Sequence, residues 1–235
     1  MRYYILRPSS DPAVLGNNSG IRQAEIKRKG FRNPSEFDRL MADLGSNRYW
    51  EIRNSVPGGN YQAQYVEMWG KSKLTDFLQF GPFLIRCPFM ISPKVQRVFA
   101  AHEVAGAVTF PAEVRRGEAS WPYFLFYVVP MPLEMIQFPA SSFYAGHTLM
   151  GGAPLVFKDE AEMASAQAAG VVVNFHELVL KREFADKDLF SLPNGQIAVS
   201  EALKVDLEEN HAISGVNPLP AFGVTPSWPV ISVGD

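Results

Sequence analysis

One cysteine, Cys87, and four histidines, His102, His147, His176 and His211, are the residues of this chain best suited to nucleophilic or metal chemistry. Cys87 with His147 or His176 would form a thiol–imidazole pair, in which the ring removes the thiol proton and the thiolate attacks an electrophilic centre. Cys87, however, lies in an apolar stretch beside Pro88, where a lone cysteine behaves as a small hydrophobe. His102 and His211 hold nearly equivalent places late in two similar segments. They suggest either a metal pair or two rings resting at the negative ends of helices, and the second reading is preferred. No histidine has a second ligand at metal-site spacing, so neither a metal nor a cofactor is expected. Glu134, Asp159, Glu160 and Glu162 could pair for acid–base work, but the last three also suit the first turn of a helix. A nucleophile elbow, a phosphate loop, HExxH and CxxC are all missing from the sequence. No catalytic residue is assigned, and the chain is not read as an enzyme.

These residues must be placed by a chain of 235 residues with 22 Lys+Arg, 24 Asp+Glu and a formal charge of −2, which argues against a general nucleic-acid binder. With 12% aromatic and 20% charged residues, the composition excludes a largely disordered chain. The length suits one α+β domain over residues 1–235, with an N-terminal region 1–72 and a larger region 73–235. A lone cysteine permits no intramolecular disulfide and fits a reducing compartment. Residues 1–7 read as a strand rather than a leader. The longest uncharged apolar stretch, 121–133, contains three prolines and falls short of the roughly 20 residues of a membrane span. A cytoplasmic protein without membrane contacts is expected.

Turn residues fill 8–20, and 21–30 is a basic, solvated segment. A helix capped by Ser35 should carry Phe37, Leu40, Met41 and Leu44 on one face and stop at Gly45. Residues 48–53 and 62–69 read as strands, 73–80 as a short helix or extended turn, and 121–129 as a strand buried on both faces. A second strand is expected over 133–138, a loop over 141–154, an acid-led helix over 158–170 and a strand over 171–180. Strands and helices interleave without a regular βαβ rhythm. The fold class is therefore α+β, with mixed or antiparallel sheets and short helices.

Two segments, 89–111 and 197–220, match each other. Each has an apolar strand ending in a serine (Ser92, Ser200), apolar residues three and seven positions later (Val95 and Phe99; Leu203 and Leu207) and then a glycine (Gly106, Gly215). Each closes on an apolar residue and proline, Phe110-Pro111 or Leu219-Pro220. The serines are placed as N-caps, Pro93 stands at a first helical position, and the glycines can turn left-handed after the last helical turn. Two related strand–helix–strand units sharing one core are expected.

This unit, together with Lys73-Leu74-Thr75-Asp76-Phe77-Leu78 and the Tyr3-Tyr4 strand, resembles a family of bacterial immunity proteins, antitoxins encoded beside polymorphic toxins. The resemblance covers most of the chain, from about Lys73 to Phe222, through short structural motifs with no catalytic signature. It implies a cytoplasmic, non-catalytic inhibitor whose partner is a cognate toxin effector, neutralised by steric occlusion of the toxin's active site. Phe143, Tyr144, His147 and Met150, with Asp159, Glu160 and Glu162, are the candidate toxin-binding residues, because they combine adaptable aromatic anchors with carboxylates suited to a basic partner. Asp206, Glu208 and Glu209 form a further acidic group. A small-ligand-binding or hydrolytic domain using Cys87 or the histidines is the alternative, and self-association into a homodimer stays open.

Overall fold

A computed structural model describes residues 1–18, 22–146, 152–184, 186–222 and 229–234. The strands are β1 (Tyr3–Pro8), β2 (Ala24–Ile26), β3 (Ala63–Met68), β4 (Phe77–Leu78), β5 (Phe80–Gly81), β6 (Phe89–Ile91), β7 (Ala107–Arg116) and β8 (Ala119–Val128). They continue with β9 (Ser142–Ala145), β10 (Pro154–Leu155), β11 (Val173–Leu180), β12 (Leu189–Ser191), β13 (Ile197–Ser200), β14 (Val216–Pro220) and β15 (Val230–Val233). The helices are α1 (Pro12–Leu15), α2 (Pro34–Leu44), α3 (Tyr49–Ile52), α4 (Pro93–Phe99), α5 (Glu160–Ala168) and α6 (Glu201–Glu209). The class is α+β. One sheet runs β4-β6-β8-β7-β3-β2-β5, a second β12-β13-β1-β14 and a third β10-β9-β11-β15. The second is antiparallel throughout; the other two are mixed. No helix among the described residues is long and apolar enough to cross a membrane.

Both matched segments form the expected elements. Ser92 Oγ accepts the Val95 N–H at 3.4 Å and Ser200 Oγ accepts the Leu203 N–H at 3.1 Å, so each serine caps its helix, α4 or α6. Val95 and Phe99, and Leu203 and Leu207, are buried together in one cluster with residues of both units. Within it Phe77, Phe89, Phe99 and Phe126 form a chain of ring contacts at 5.3–6.3 Å.

The kinship extends further than the matched segments. In the first unit β8 lies between β6 and β7, antiparallel to both; in the second, β1 lies between β13 and β14 in the same manner. The N-terminal strand therefore plays for the second unit the part that β8 plays for the first. Alternate residues of each central strand serve two cores. Tyr123, Leu125 and Tyr127 of β8 face a cluster with α2, while Phe126 and Val128 face the shared one. Tyr3 and Ile5 of β1 join the core beneath β9 and β11, and Leu6 joins the shared one.

A buried polar pattern is duplicated as well. Asp76, just before β4, accepts from Ser92 Oγ at 2.9 Å; Asp188, just before β12, accepts from Ser200 Oγ at 2.5 Å. The backbone repeats the link, Ser92 N–H to Asp76 O at 2.8 Å and Ser200 N–H to Asp188 O at 2.7 Å. Tyr123 donates to Thr75 O at 2.9 Å and Tyr3 to Lys187 O at 3.3 Å, each to the residue preceding the aspartate. The loop after each helix then crosses to the other unit. Ser214 Oγ donates to Asp76 Oδ2 at 2.5 Å, whereas the Glu103 N–H at 3.2 Å and His102 Nδ1 at 3.1 Å meet Asp188 Oδ2. Gly215 is required at one crossing: its φ is +96° and a Cβ there would lie 2.1 Å from Phe77 O.

Some local expectations change. Residues 48–53 contain the helix α3 rather than a strand. Ser46 O accepts the Tyr49 N–H at 3.1 Å, continuing the turn out of α2, and the inward residues Tyr49 and Ile52 are three apart. The cap of α2 is Asn33, whose Oδ1 accepts the Ser35 N–H at 3.2 Å, with Pro34 rather than Ser35 opening the helix. Residues 133–138 make tight 3₁₀ turns, Ile136 N–H to Leu133 O at 3.0 Å, because Pro132 and Pro139 break a ladder. Residues 73–80, expected as a short helix or extended turn, are extended and hold β4 and the start of β5, and the expected loop 141–154 contains β9 and the start of β10.

Ser200→Ala removes both the cap of α6 and the donor to Asp188, and should lower unfolding free energy by about 1–3 kcal/mol in urea denaturation. Burial pushes the Asp188 carboxyl up, but hydrogen bonds from Ser200, the Glu103 N–H and His102 outweigh it and hold the group below its ordinary value. A depressed native value gives stability that is present above the unfolded value near 3.9 and is lost as pH falls through the native one. Asp188→Asn should therefore destabilise the protein at neutral pH and make its stability less steep on the acid side. Unfolding curves across the acid range measure this, and an unchanged slope would contradict it.

Candidate functional site

Cys87 is 3% exposed, and burial pushes its thiol far up, away from the thiolate. Among the described residues no histidine bonds to it; His147 lies outside them, and His176 is exposed on β11 with its ring 6.4 Å from that of Tyr144. His102 and His211 do not form a pair. His102 bridges Asp188, through Nδ1 at 3.1 Å, and Asp206 of α6, through Nε2 at 2.8 Å. It is thus a hydrogen-bonded tie between the units, its ring held by two side-chain carboxylates. His211 is exposed, with a φ of 50°, and its carbonyl accepts from Lys94 Nζ at 3.0 Å. No group of three potential metal ligands occurs among the described residues.

The acids are mostly occupied by structure. Asp159 caps α5 by accepting the Glu162 N–H at 2.9 Å, and Glu162 reaches back to the Lys158 N–H at 2.8 Å, a reciprocal cap. Glu160 is exposed in the same turn, and Glu134 is exposed on a separate 3₁₀ turn. Asp206 holds His102, and Glu208 pairs with Lys204 at 2.7 Å. Of the aromatic candidates, Phe143 is 1% exposed and packs against Phe138, Phe157 and Phe175. It supports this face from beneath and does not reach a partner. Tyr144, next along β9, is half-buried, while Met150, like His147, lies outside the described residues.

A different surface brings together groups that sequence reasoning separated. At the end of the sheets opposite the serine caps, the turn leading into β6 (residues 82–88) lies beside the β12–β13 turn (residues 192–196). Between them is a cavity of about 460 Å³ with Leu84, Cys87 and Pro88 among its walls. Two large aromatic side chains line it while remaining exposed, Trp50 at 51% and Phe83 at 69%. Each has a local cause. Tyr49 of α3 is pinned inward, its hydroxyl 3.0 Å from that of Tyr127, so that Trp50 points out; the Ile85 N–H bonds Leu44 O at 2.6 Å, fixing the segment that carries Phe83. Arg86 joins the two turns, donating from Nη2 to Pro193 O at 3.1 Å. Its backbone φ is +62°, a left-handed conformation that costs a side-chain-bearing residue roughly 1–2 kcal/mol. Gly195 makes room for it, since a Cβ there would lie 3.3 Å from Arg86 Nη1.

Such a surface suits recognition more than reaction: apolar walls, exposed aromatic anchors and a cation on a rigid frame. The available sequence signal was the unpaired bulk of Trp50 and Phe83 next to turn residues. Its weakness was the reading of 48–53 as a strand, which left the direction of Trp50 undetermined. Since Cys87 is buried with its thiol held protonated, the native protein should react with a thiol-specific disulfide reagent at mildly alkaline pH only on the timescale of unfolding. Rapid stoichiometric labelling without denaturant would contradict this.

Neither the models of known protein families nor the curated protein sequences compared with the chain match it.

Proposed function

We propose that this protein is an immunity protein, a cytoplasmic antitoxin that binds a cognate bacterial toxin effector and neutralises it by occlusion, running no reaction of its own. The observation that carries the reading is the pair of exposed aromatic side chains, Trp50 and Phe83, on one concave apolar surface. Large apolar groups held in water on a well-packed scaffold are a standing gain for whatever protein covers them. The resemblance of the repeated units and of the Tyr3-Tyr4 strand to immunity proteins supplies the class of partner. The binding of Cys87, His102, Asp188 and Asp206 into the scaffold favours this reading over a hydrolytic one.

Mixing the purified chain with the effector domain encoded by a neighbouring toxin gene should give a stoichiometric complex on size-exclusion chromatography. Co-expression should protect cells from that effector. Absence of a complex at micromolar concentrations, with cells equally sensitive whether or not the gene is present, would overturn the reading.

A further inference from the structure

The cavity beside Trp50 and Phe83 does not end at the first turn. A second lobe of about 330 Å³ continues from it, sharing Pro88, Asn194, Gly195 and Ile197, and runs along β1 to Arg7 and Pro8. The result is an elongated groove that follows the junction of the two units. Its charged lining residues are Arg86 and Arg7, and no aspartate or glutamate lines either lobe.

Arg86 decides the chemistry of the occupant. Its guanidinium has five N–H donors, of which Nη2 is used on the carbonyl of Pro193. Among the described residues no carboxylate forms an ion pair with it, although it is half-buried. Arg28 and Arg115 have carboxylates at 2.8 Å, whereas Arg39 and Arg116, like Arg86, donate to backbone carbonyls. A partly desolvated guanidinium in an apolar wall, held there at the cost of a left-handed backbone, gains most from a carboxylate that approaches from outside.

We propose that this groove docks an extended segment of a partner protein that places a carboxylate next to a large apolar side chain. The apolar group lies against the wall made by Trp50 and Phe83, the carboxylate meets Arg86, and the chain continues over Gly195 toward Arg7. This rests on the partner-binding reading above and deepens it by naming the surface. It also reverses the polarity suggested by the acids of α5, since here this protein contributes the cation, Arg86, and the partner the anion.

A library of random twelve-residue peptides displayed on phage, selected against the full-length chain, tests the docking chemistry without any toxin. Selected peptides should pair Asp or Glu with Leu, Phe or Trp. They should lose roughly tenfold or more in affinity for Phe83→Ser and for Arg86→Gln, the second of which keeps a donor for Pro193 O while removing the charge. Circular dichroism and thermal unfolding verify that both variants fold; if Arg86→Gln does not, Phe83→Ser and competition by a peptide with its acid changed to amide carry the test. A selection that yields no binders, binders without carboxylates, or binders indifferent to both variants overturns the proposal. The effector domain is assayed in parallel. Effector binding that survives both variants, with acidic peptides still selected, leaves the groove a real docking site and places the effector elsewhere. Groove-dependent peptides without effector binding preserve this inference and reject the immunity reading.

Discussion

Two aspartates, Asp76 buried and Asp188 partly buried, hold this molecule together. Asp76 and Asp188 each stand at the start of a short edge strand, and each accepts the hydroxyl of the serine that caps the helix of its own unit. Each also receives groups from the loop of the opposite unit, Ser214 in one case and Glu103 with His102 in the other. A carboxylate withdrawn from water is tolerated only when its lone pairs are filled, and of the six hydrogen bonds that reach these two carboxylates among the described residues four come from the opposite unit. Each half is thus incomplete at its polar end until the other arrives, and the shared aromatic core closes at the same time. Lys94, 3.5 Å from Asp76 and bonded to His211 O, adds a tether between α4 and the loop after α6.

The opposite end of the same units is built for exposure. Where the serines terminate β6 and β13, polar groups are satisfied internally. Where those strands begin, the adjoining turns leave an apolar groove, and its rim carries Trp50, Phe83 and Arg86. The division has a physical basis. Strand starts that follow turns present irregular backbone, and here the frame at the far end and the Arg86–Pro193 bond between the turns hold the side chains of the rim in place.

Local signals made much of the frame legible. Ser92 and Ser200 as caps, the apolar residues three and seven positions on, and the glycines after each helix are short-range features with strong backbone consequences, and they marked both units. Other features depend on partners far along the chain. Nothing in residues 3–8 states that they will lie between β13 and β14, and Asp76 or Asp188 alone does not reveal a serine sixteen or twelve residues later. A hint was present, since each aspartate precedes two apolar residues, Phe77-Leu78 or Leu189-Phe190. The groove was legible least. The candidate face at 141–162 was chosen by composition, and composition does not separate a core phenylalanine such as Phe143 from an exposed one such as Phe83.

The origin of the central strands imposes an order on synthesis. The first unit draws its four strands from residues 77–128, so its sheet can close soon after that stretch leaves the ribosome. The second joins residues 3–8 to strands between 189 and 220, so β1 must wait for most of the chain to be made. Until then the apolar residues Tyr3, Ile5 and Leu6 have no sheet of their own to enter. Closure over so long a loop costs more chain entropy than closure of the sequence-local strands of the first unit.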